Sequence, residues 1–232
     1  MSQTLNIGLL FLPSFQWLDA VGTSDLLNNH SRETLSSVSG VPKNISDKAP
    51  SIKWHFISNN MDPVQTTTGP PQHPTTTYKD CPPLDYLVVP GPYPIVPLPE
   101  GCNEFLQARY VDPHVKAILL VCTASLAVSQ AGILDGHKVC TNKFVLRDLI
   151  ETGGLASFSK KVEWVGDRRW IVDGKIWSSA GITAGLDLAA EFAKVHFDKE
   201  VVKLALEMSE YSPLPDKPDQ FAFLLEGLET TV

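Results

Sequence analysis

No CxxC pair occurs in this 232-residue sequence, and its four cysteines, at positions 81, 102, 122 and 140, are scattered. Zinc sites and disulfide frameworks are built from paired or clustered cysteines and histidines, so neither is expected, and a reducing compartment fits best. Basic charge is also scarce: 19 Lys and Arg against 26 Asp and Glu give a formal net charge of −7. Such a chain has no electrostatic grip on nucleic acid or on an anionic membrane. No apolar run approaches the ~20 residues that cross a bilayer. The first apolar run has no basic residues before it and is ended early by Pro13, so no secretory signal is expected. The expectation is a cytoplasmic globular protein with no metal.

What is present is 43% hydrophobic content, enough for one large domain with a full core. Asn6–Phe11, Tyr86–Val89 and Ala117–Val121 are short continuous apolar runs, the pattern of strands buried on both faces. Ile52–Ser58 alternates, and Val162–Val165 and Trp170–Ser178 also read as strands, the last turning at Asp173-Gly174. Helical spacing predicts helices over Asp19–Leu27, Glu104–Tyr110, the stretch after Cys122 and Lys143–Glu151. Two more are expected, with Thr183 and Asp198 as N-caps. Asn28–Pro50 is rich in Ser, Asn, Pro and charge and reads as an exposed insertion within a single domain over 1–232. Pro63–Pro83 reads as a loop with some extended structure. Strands alternating with helices imply a three-layer α/β/α sandwich around a mostly parallel sheet.

In such sheets ligands bind beyond the carboxyl ends of the strands. Asp19, Gly91 and Cys122 each follow a predicted strand, so the fold brings them to one edge. Cys122 stands at a strand-to-helix elbow, where a helix amino terminus favours a thiolate, the nucleophilic form of cysteine. The plain alternative is a small buried apolar residue. Cys81, Cys102 and Cys140 have no such placement and read as structural. Asp19 also has a bland explanation, since Asp is an ordinary N-cap.

Four ordered segments, FQWLDAVGTSDLL (Phe15–Leu27), CPPLDYLVVPG (Cys81–Gly91), VCTASLAVSQAGILDG (Val121–Gly136) and SAGITAGLDLAAE (Ser179–Glu191), resemble the ThiJ/PfpI superfamily. That is the cysteine branch related to class I glutamine amidotransferases. The Leu-Asp start, the Cys-Thr elbow and the Gly-Ile-Thr-Ala-Gly segment are most similar to isonitrile hydratases. The resemblance covers most of the chain outside the insertion and the tail after Ser212. It implies a flavodoxin-like, glutamine amidotransferase-like fold, a homodimer, a small-molecule substrate with no cofactor, and Cys122 as nucleophile with Asp19 as its acid/base partner. Thr123 would offer its backbone N–H to developing negative charge. Gly91, Pro92, Gly181, Ile182 and Thr183 would line the substrate pocket, although a tight turn with Thr183 as N-cap explains the last three equally well. Trp17 and Trp177 read as core.

Two departures narrow the chemistry. Relatives carry a second glycine after the Pro-Gly that ends the YLVV strand, and its N–H serves an oxyanion; here the position is Pro92, which has none. Asn142 stands where isonitrile hydratases tend to have His. Protease, amidase and glutaminase activities need an oxyanion hole, and losing one donor costs roughly a hundred- to a thousand-fold in acyl transfer. The resemblance therefore implies isonitrile hydration. The alternatives are a lyase, isomerase or cyclase using the same Cys/Asp pair, a glyoxalase- or deglycase-like activity, or a redox-sensing or holdase protein.

Overall fold

The computed structural model describes residues 3–93, 96–158 and 160–230. Strand β1 (Thr4–Leu10) leads into α1 (Trp17–Asn28), α2 (Arg32–Ser37) and α3 (Lys43–Ser46). Then come β2 (Ser51–Ser58), β3 (Thr76–Thr77), β4 (Tyr86–Val89), α4 (Cys102–Val111), β5 (Ala117–Leu120) and α5 (Ala124–Ser129). The remainder is β6 (Lys138–Val139), α6 (Lys143–Glu151), β7 (Glu163–Trp164), β8 (Trp170–Asp173), β9 (Ile176–Ser179), α7 (Ala184–His196) and α8 (Lys199–Met208). Short 3₁₀ turns occupy Gly154–Ser157 and Ala222–Leu225.

Among the described residues the main sheet has seven strands in the order β3-β2-β1-β4-β5-β9-β8. All neighbours are parallel except β8 and β9, the hairpin turned at Gly174, whose φ is +60°. The apolar runs explain the layers. Side chains alternate across a strand, so Leu10, Leu87, Val89, Ile118, Leu120 and Ile176 face one way and pack with α4, α5 and α6. Ile7, Leu9, Val88, Leu119 and Trp177 face the other way, against α1 and α7. This is the three-layer sandwich expected from the alternation of elements.

Several details differ from the sequence pattern. Helix α1 begins at Trp17 with Gln16 at its N-cap position, so Asp19 lies inside the first turn and is not a cap. The 162–165 strand pairs with β6 in a separate two-stranded sheet, outside the main one. The 28–50 insertion is largely solvent-facing but forms α2 and α3, and Leu35 and Ala49 bury against Val201 of α8. Thr183 occupies the N-cap position of α7 but makes no capping hydrogen bond, whereas Asp198 caps α8 through the Glu200 N–H as expected.

Helix α7 sits so close to β5 that a side chain at Gly185 would put its Cβ 2.5 Å from Val121 Cγ1 and 3.2 Å from Thr23 Oγ1. Val121 is stiff at χ1 and fully buried, and cannot swing away. Gly185→Ala is expected to lose about 1–3 kcal/mol, as overpacked cores do; a fall in the urea midpoint at unchanged m-value is the measurement.

Candidate active site

Three strand ends meet at the site. After β5 the backbone turns through Cys122 with φ +60°, a left-handed conformation that costs a non-glycine residue on the order of 1–2 kcal/mol. The turn is held by Thr141, whose hydroxyl donates to the Cys122 carbonyl at 2.9 Å. It leaves the thiol 5% exposed at the carboxyl edge of the sheet. After β4, Gly91 donates its N–H to Asp19 Oδ2 at 3.0 Å, while its carbonyl accepts from the Gln16 N–H at 2.8 Å. Glycine is required here for a steric reason: a Cβ would lie 2.5 Å from Thr123 Oγ1, 2.7 Å from Thr123 N and 3.0 Å from Asp19 Oδ2. Asp19 itself is fully buried, and its Oδ1 has no hydrogen-bond partner.

Donors surround the sulfur. The N–H groups of Ile182 and Thr123 hydrogen-bond to it, and Asn142 Nδ2 approaches Sγ at 3.4 Å. Asn142 is also the N-cap of α6, its Oδ1 accepting the Val145 N–H. It reaches the thiol because Gly181 has no side chain; a Cβ there would sit 2.8 Å from Asn142 Nδ2. Sequence reasoning treated Asn142 only as an absent histidine. The missed signal was an N-cap residue directly after a short strand, which fixes a side chain at the sheet edge.

The electrostatics correct one expectation. The thiol is not a ready thiolate: burial, then the charge of Asp19, push it up to about 11, against the pull of the Ile182 N–H, the Asn142 amide and the Thr123 N–H. Helix α5 has only six residues, and its terminus does not offset the loss of water. Burial likewise lifts Cys102 to about 11 and Cys140 to about 12. Acidity therefore does not single out Cys122; its partners do. Asp19 is raised by burial to about 7, with the Gly91 N–H and the Cys122 thiol pulling the other way. A carboxyl group that titrates near neutrality beside a thiol can carry one proton back and forth.

The remaining expected residues divide. The Thr123 hydroxyl is engaged, donating to the Pro92 carbonyl at 2.6 Å. Pro92 has no N–H, and the Gly91 N–H is given to Asp19, so the β4 edge offers no free amide of its own to an oxyanion. Gly181, Ile182 and Thr183 line a cleft of about 490 Å³ together with Leu18, Asn142, Phe144, Phe221 and Leu224. Asn142 and Ile182 stand between this cleft and the thiol, while Cys122, Asp19, Gly91 and Pro92, expected at the pocket, are not among its lining residues. Thr183 accepts from Arg169 Nη2 at 3.1 Å. The charged groups of the cleft are paired: Lys143 with Asp219, and Arg169 with Asp187. A larger hollow of about 640 Å³, between Glu163–Asp167 and the 222–230 segment, contains none of these residues. Trp177 is core as expected, and Trp17 packs over Gly69. Pro94 and Ile95, which follow the β4 edge, lie outside the described residues. No group of three or more His, Cys, Asp or Glu among the described residues is placed to hold a metal ion. No helix among the described residues is long and apolar enough to cross a membrane.

Residues 31–195 match the model of the DJ-1/PfpI family. The chain belongs to the DJ-1/PfpI family. Its sequence is also 30% identical over 211 residues to the isonitrile hydratase of Pseudomonas putida, covering 91% of this chain and 80% of that one. A ThiJ/PfpI family protein from Pseudomonas syringae superposes with a TM-score of 0.63 at 23% identity, over 94% of this chain and 79% of the other. Schizosaccharomyces pombe DJ-1 gives 0.62 at 12% identity, over 90% and 100%. At these identities the two structures establish the shared flavodoxin-like fold. The family match and the 30% relative place this DJ-1/PfpI chain on the isonitrile hydratase-like branch.

The buried Asp19 makes stability depend on pH. The folded state holds the Asp19 proton more tightly than the unfolded chain, whose carboxyl titrates near 3.8. That contribution is full below pH 3.8 and is lost as the pH rises through about 7. Asp19→Asn removes the titration, so the variant gains on the wild type across this window, by up to roughly 4 kcal/mol, and holds a constant lead above it. Thermal unfolding measured from pH 4 to 8 decides; a gap that does not widen refutes the raised pKa.

Proposed function

We propose that this DJ-1/PfpI protein is a cofactor-free enzyme that hydrates isonitriles to N-formyl amines, with Cys122 as nucleophile and Asp19 as acid and base. The observation that carries the proposal is the pairing of a buried thiol with a carboxyl group that titrates near 7, with no histidine between them. Charge develops differently here from the course of acyl transfer. Sulfur adds to the terminal carbon of R–N≡C, and negative charge appears on that carbon, not on an oxygen. The step needs a proton donor beside the sulfur, and the absence of an N–H at Pro92 does no harm.

The protons balance on the pair. The Asp19 carboxylate takes the thiol proton as sulfur bonds to carbon, then passes it to the same carbon, giving a thioimidate, R–N=CH–S–Cys122. Water adds across the C=N bond, and the tetrahedral adduct expels the sulfur, leaving R–NH–CHO and the regenerated thiol. While sulfur is anionic, the Ile182 and Thr123 N–H groups and Asn142 steady it. These donors stabilise the anionic sulfur of the transition state more than they do the resting thiol. The 30% identity to a protein named isonitrile hydratase supports the substrate class.

A second reading has one observation in its favour. A thiol pushed up to about 11 stays protonated at neutral pH, which suits a lyase or isomerase in which Asp19 moves the proton and Cys122 only lines the site. The two readings separate on one variant: Cys122→Ser abolishes turnover in the covalent scheme and leaves it largely intact in the other.

Cys122→Ala and Asp19→Ala are each expected to remove formamide production from a panel of alkyl and aryl isonitriles, by three orders of magnitude or more on the ~10³-fold scale of losing such a group. Near-ultraviolet circular dichroism should report an intact fold. A wild type that hydrates no isonitrile of the panel sinks the substrate assignment. The productive form has Asp19 ionised and the thiol protonated, so kcat/KM is expected to rise with pH through about 7. A profile that falls across that range would exclude Asp19 as the base.

A further inference from the structure

Ile182 supplies one of the N–H groups that reach the sulfur, and it does so from a backbone conformation its side chain opposes. Its φ is +36°. A β-branched residue there is a steric outlier that costs on the order of 1–3 kcal/mol and persists only where the surroundings over-determine it. The Gly181 and Ile182 carbonyls accept the Ala184 and Gly185 N–H groups of α7 at 3.1 Å, and a single residue, Arg169, ties both flanks of the turn. On one side of Ile182, the Ala180 N–H donates to the Arg169 carbonyl at 2.8 Å. On the other, Arg169 Nη2 donates to Thr183 Oγ1 at 3.1 Å. The turn between these two ties contains Gly181 and Ile182 and nothing else.

Arg169 is itself fixed from two further directions. Its side chain is nearly buried, and Nε is paired with Asp187 Oδ2 in the first turn of α7. Its backbone N–H donates to the Asp216 carbonyl at 2.6 Å. The second Asp187 oxygen accepts the Tyr211 hydroxyl and, at 2.7 Å, the Leu214 N–H. One connected set of hydrogen bonds therefore runs from the 211–216 segment through Asp187 and Arg169 to the turn facing the thiol. None of these groups touches sulfur except the Ile182 N–H, and the charge acting on the thiol is that of Asp19.

We propose that Arg169 is a positioning residue for the Cys122 sulfur: through Ala180 and Thr183 it holds Ile182 in the left-handed geometry that aims its N–H at Sγ, with the 211–216 segment as its anchor. The arrangement assigns a role to a segment beyond the residues that match the family model. It depends on thiol chemistry at Cys122 and not on the identity of the substrate, so a failure of isonitrile hydration leaves it standing.

The test is the rate at which iodoacetamide alkylates Cys122 in the full chain as a function of pH, followed by peptide mass spectrometry so that the other cysteines do not interfere. Loss of the N–H contact raises the thiol pKa, and Thr183→Val is expected to slow alkylation at pH 9 by about tenfold, the effect of one pKa unit. Thr183→Ser keeps the hydroxyl and is expected to restore the wild-type profile; Arg169→Met is expected to exceed Thr183→Val. Glycine takes positive φ at no steric cost, so in an Ile182→Gly background Thr183→Val is expected to lose much less than tenfold. A Thr183→Val protein with a lowered melting temperature but a wild-type alkylation profile overturns the proposal and leaves a purely structural role. An undiminished loss in the Ile182→Gly background overturns it too. Thr183 is exposed, so its variants fold even where Arg169→Met does not, and the Val/Ser pair then decides alone.

Discussion

The hydrogen bond from the Gly91 amide to Asp19 joins the end of β4 to the first turn of α1, and the rest of the site is built around it. It satisfies one carboxyl oxygen and leaves the other buried without a partner. A carboxylate in that position has lost water and gained only the Gly91 amide and the Cys122 thiol, so its proton becomes labile near neutrality rather than in acid. Gly91 is also so close to Thr123 after β5 and to Asp19 that only glycine fits at 91. The bond also consumes the one backbone amide at the β4 end. Position 92 then contributes a carbonyl, held by Thr123, where another amide would have been useful to an acyl-transfer enzyme.

These constraints make the site poor in positive charge. Its donors are amides and one hydroxyl, all neutral, and the nearby cations, Lys143 and Arg169, are each bound to a carboxylate. Neutral donors can steady an anionic sulfur for the lifetime of a bond-making step without holding it ionised at rest. The outcome is a nucleophile that is quiet in the absence of substrate. Slow oxidation is then expected, because the thiolate is the species that oxidants attack. That weakens the redox-sensing alternative more than it weakens catalysis, since an enzyme needs only a transient anion and a sensor needs a standing one.

The sheet, its buried faces and the convergence of Asp19, Gly91 and Cys122 were legible because each rests on a short-range signal. Continuous runs such as YLVV and AILL are what a two-faced parallel strand requires, and residues just after such strands have only one edge to occupy. Three other features were not legible. The raised pKa of Cys122 comes from burial that only the assembled fold supplies, and the local pattern of strand and helix pointed the opposite way. Asn142 was discounted because it cannot take a proton, yet its value lies in donating one hydrogen bond to sulfur. The tie between Arg169 and Thr183 joins positions fourteen apart in sequence and depends on Asp187, which looks like an ordinary acidic residue in a helix's first turn.

The order of the chain gives the anchor segment a temporal meaning. During synthesis, Asp19, Cys122, Asn142 and the Ile182 turn all leave the ribosome before Tyr211, Leu214 and Asp216. Until those later residues emerge, Asp187 lacks two of its donors and Arg169 lacks its backbone acceptor. The Ile182 turn is then free to relax from its strained conformation. If Arg169 aligns the turn as proposed, the last contacts to be made in synthesis are the ones that complete the surroundings of the thiol.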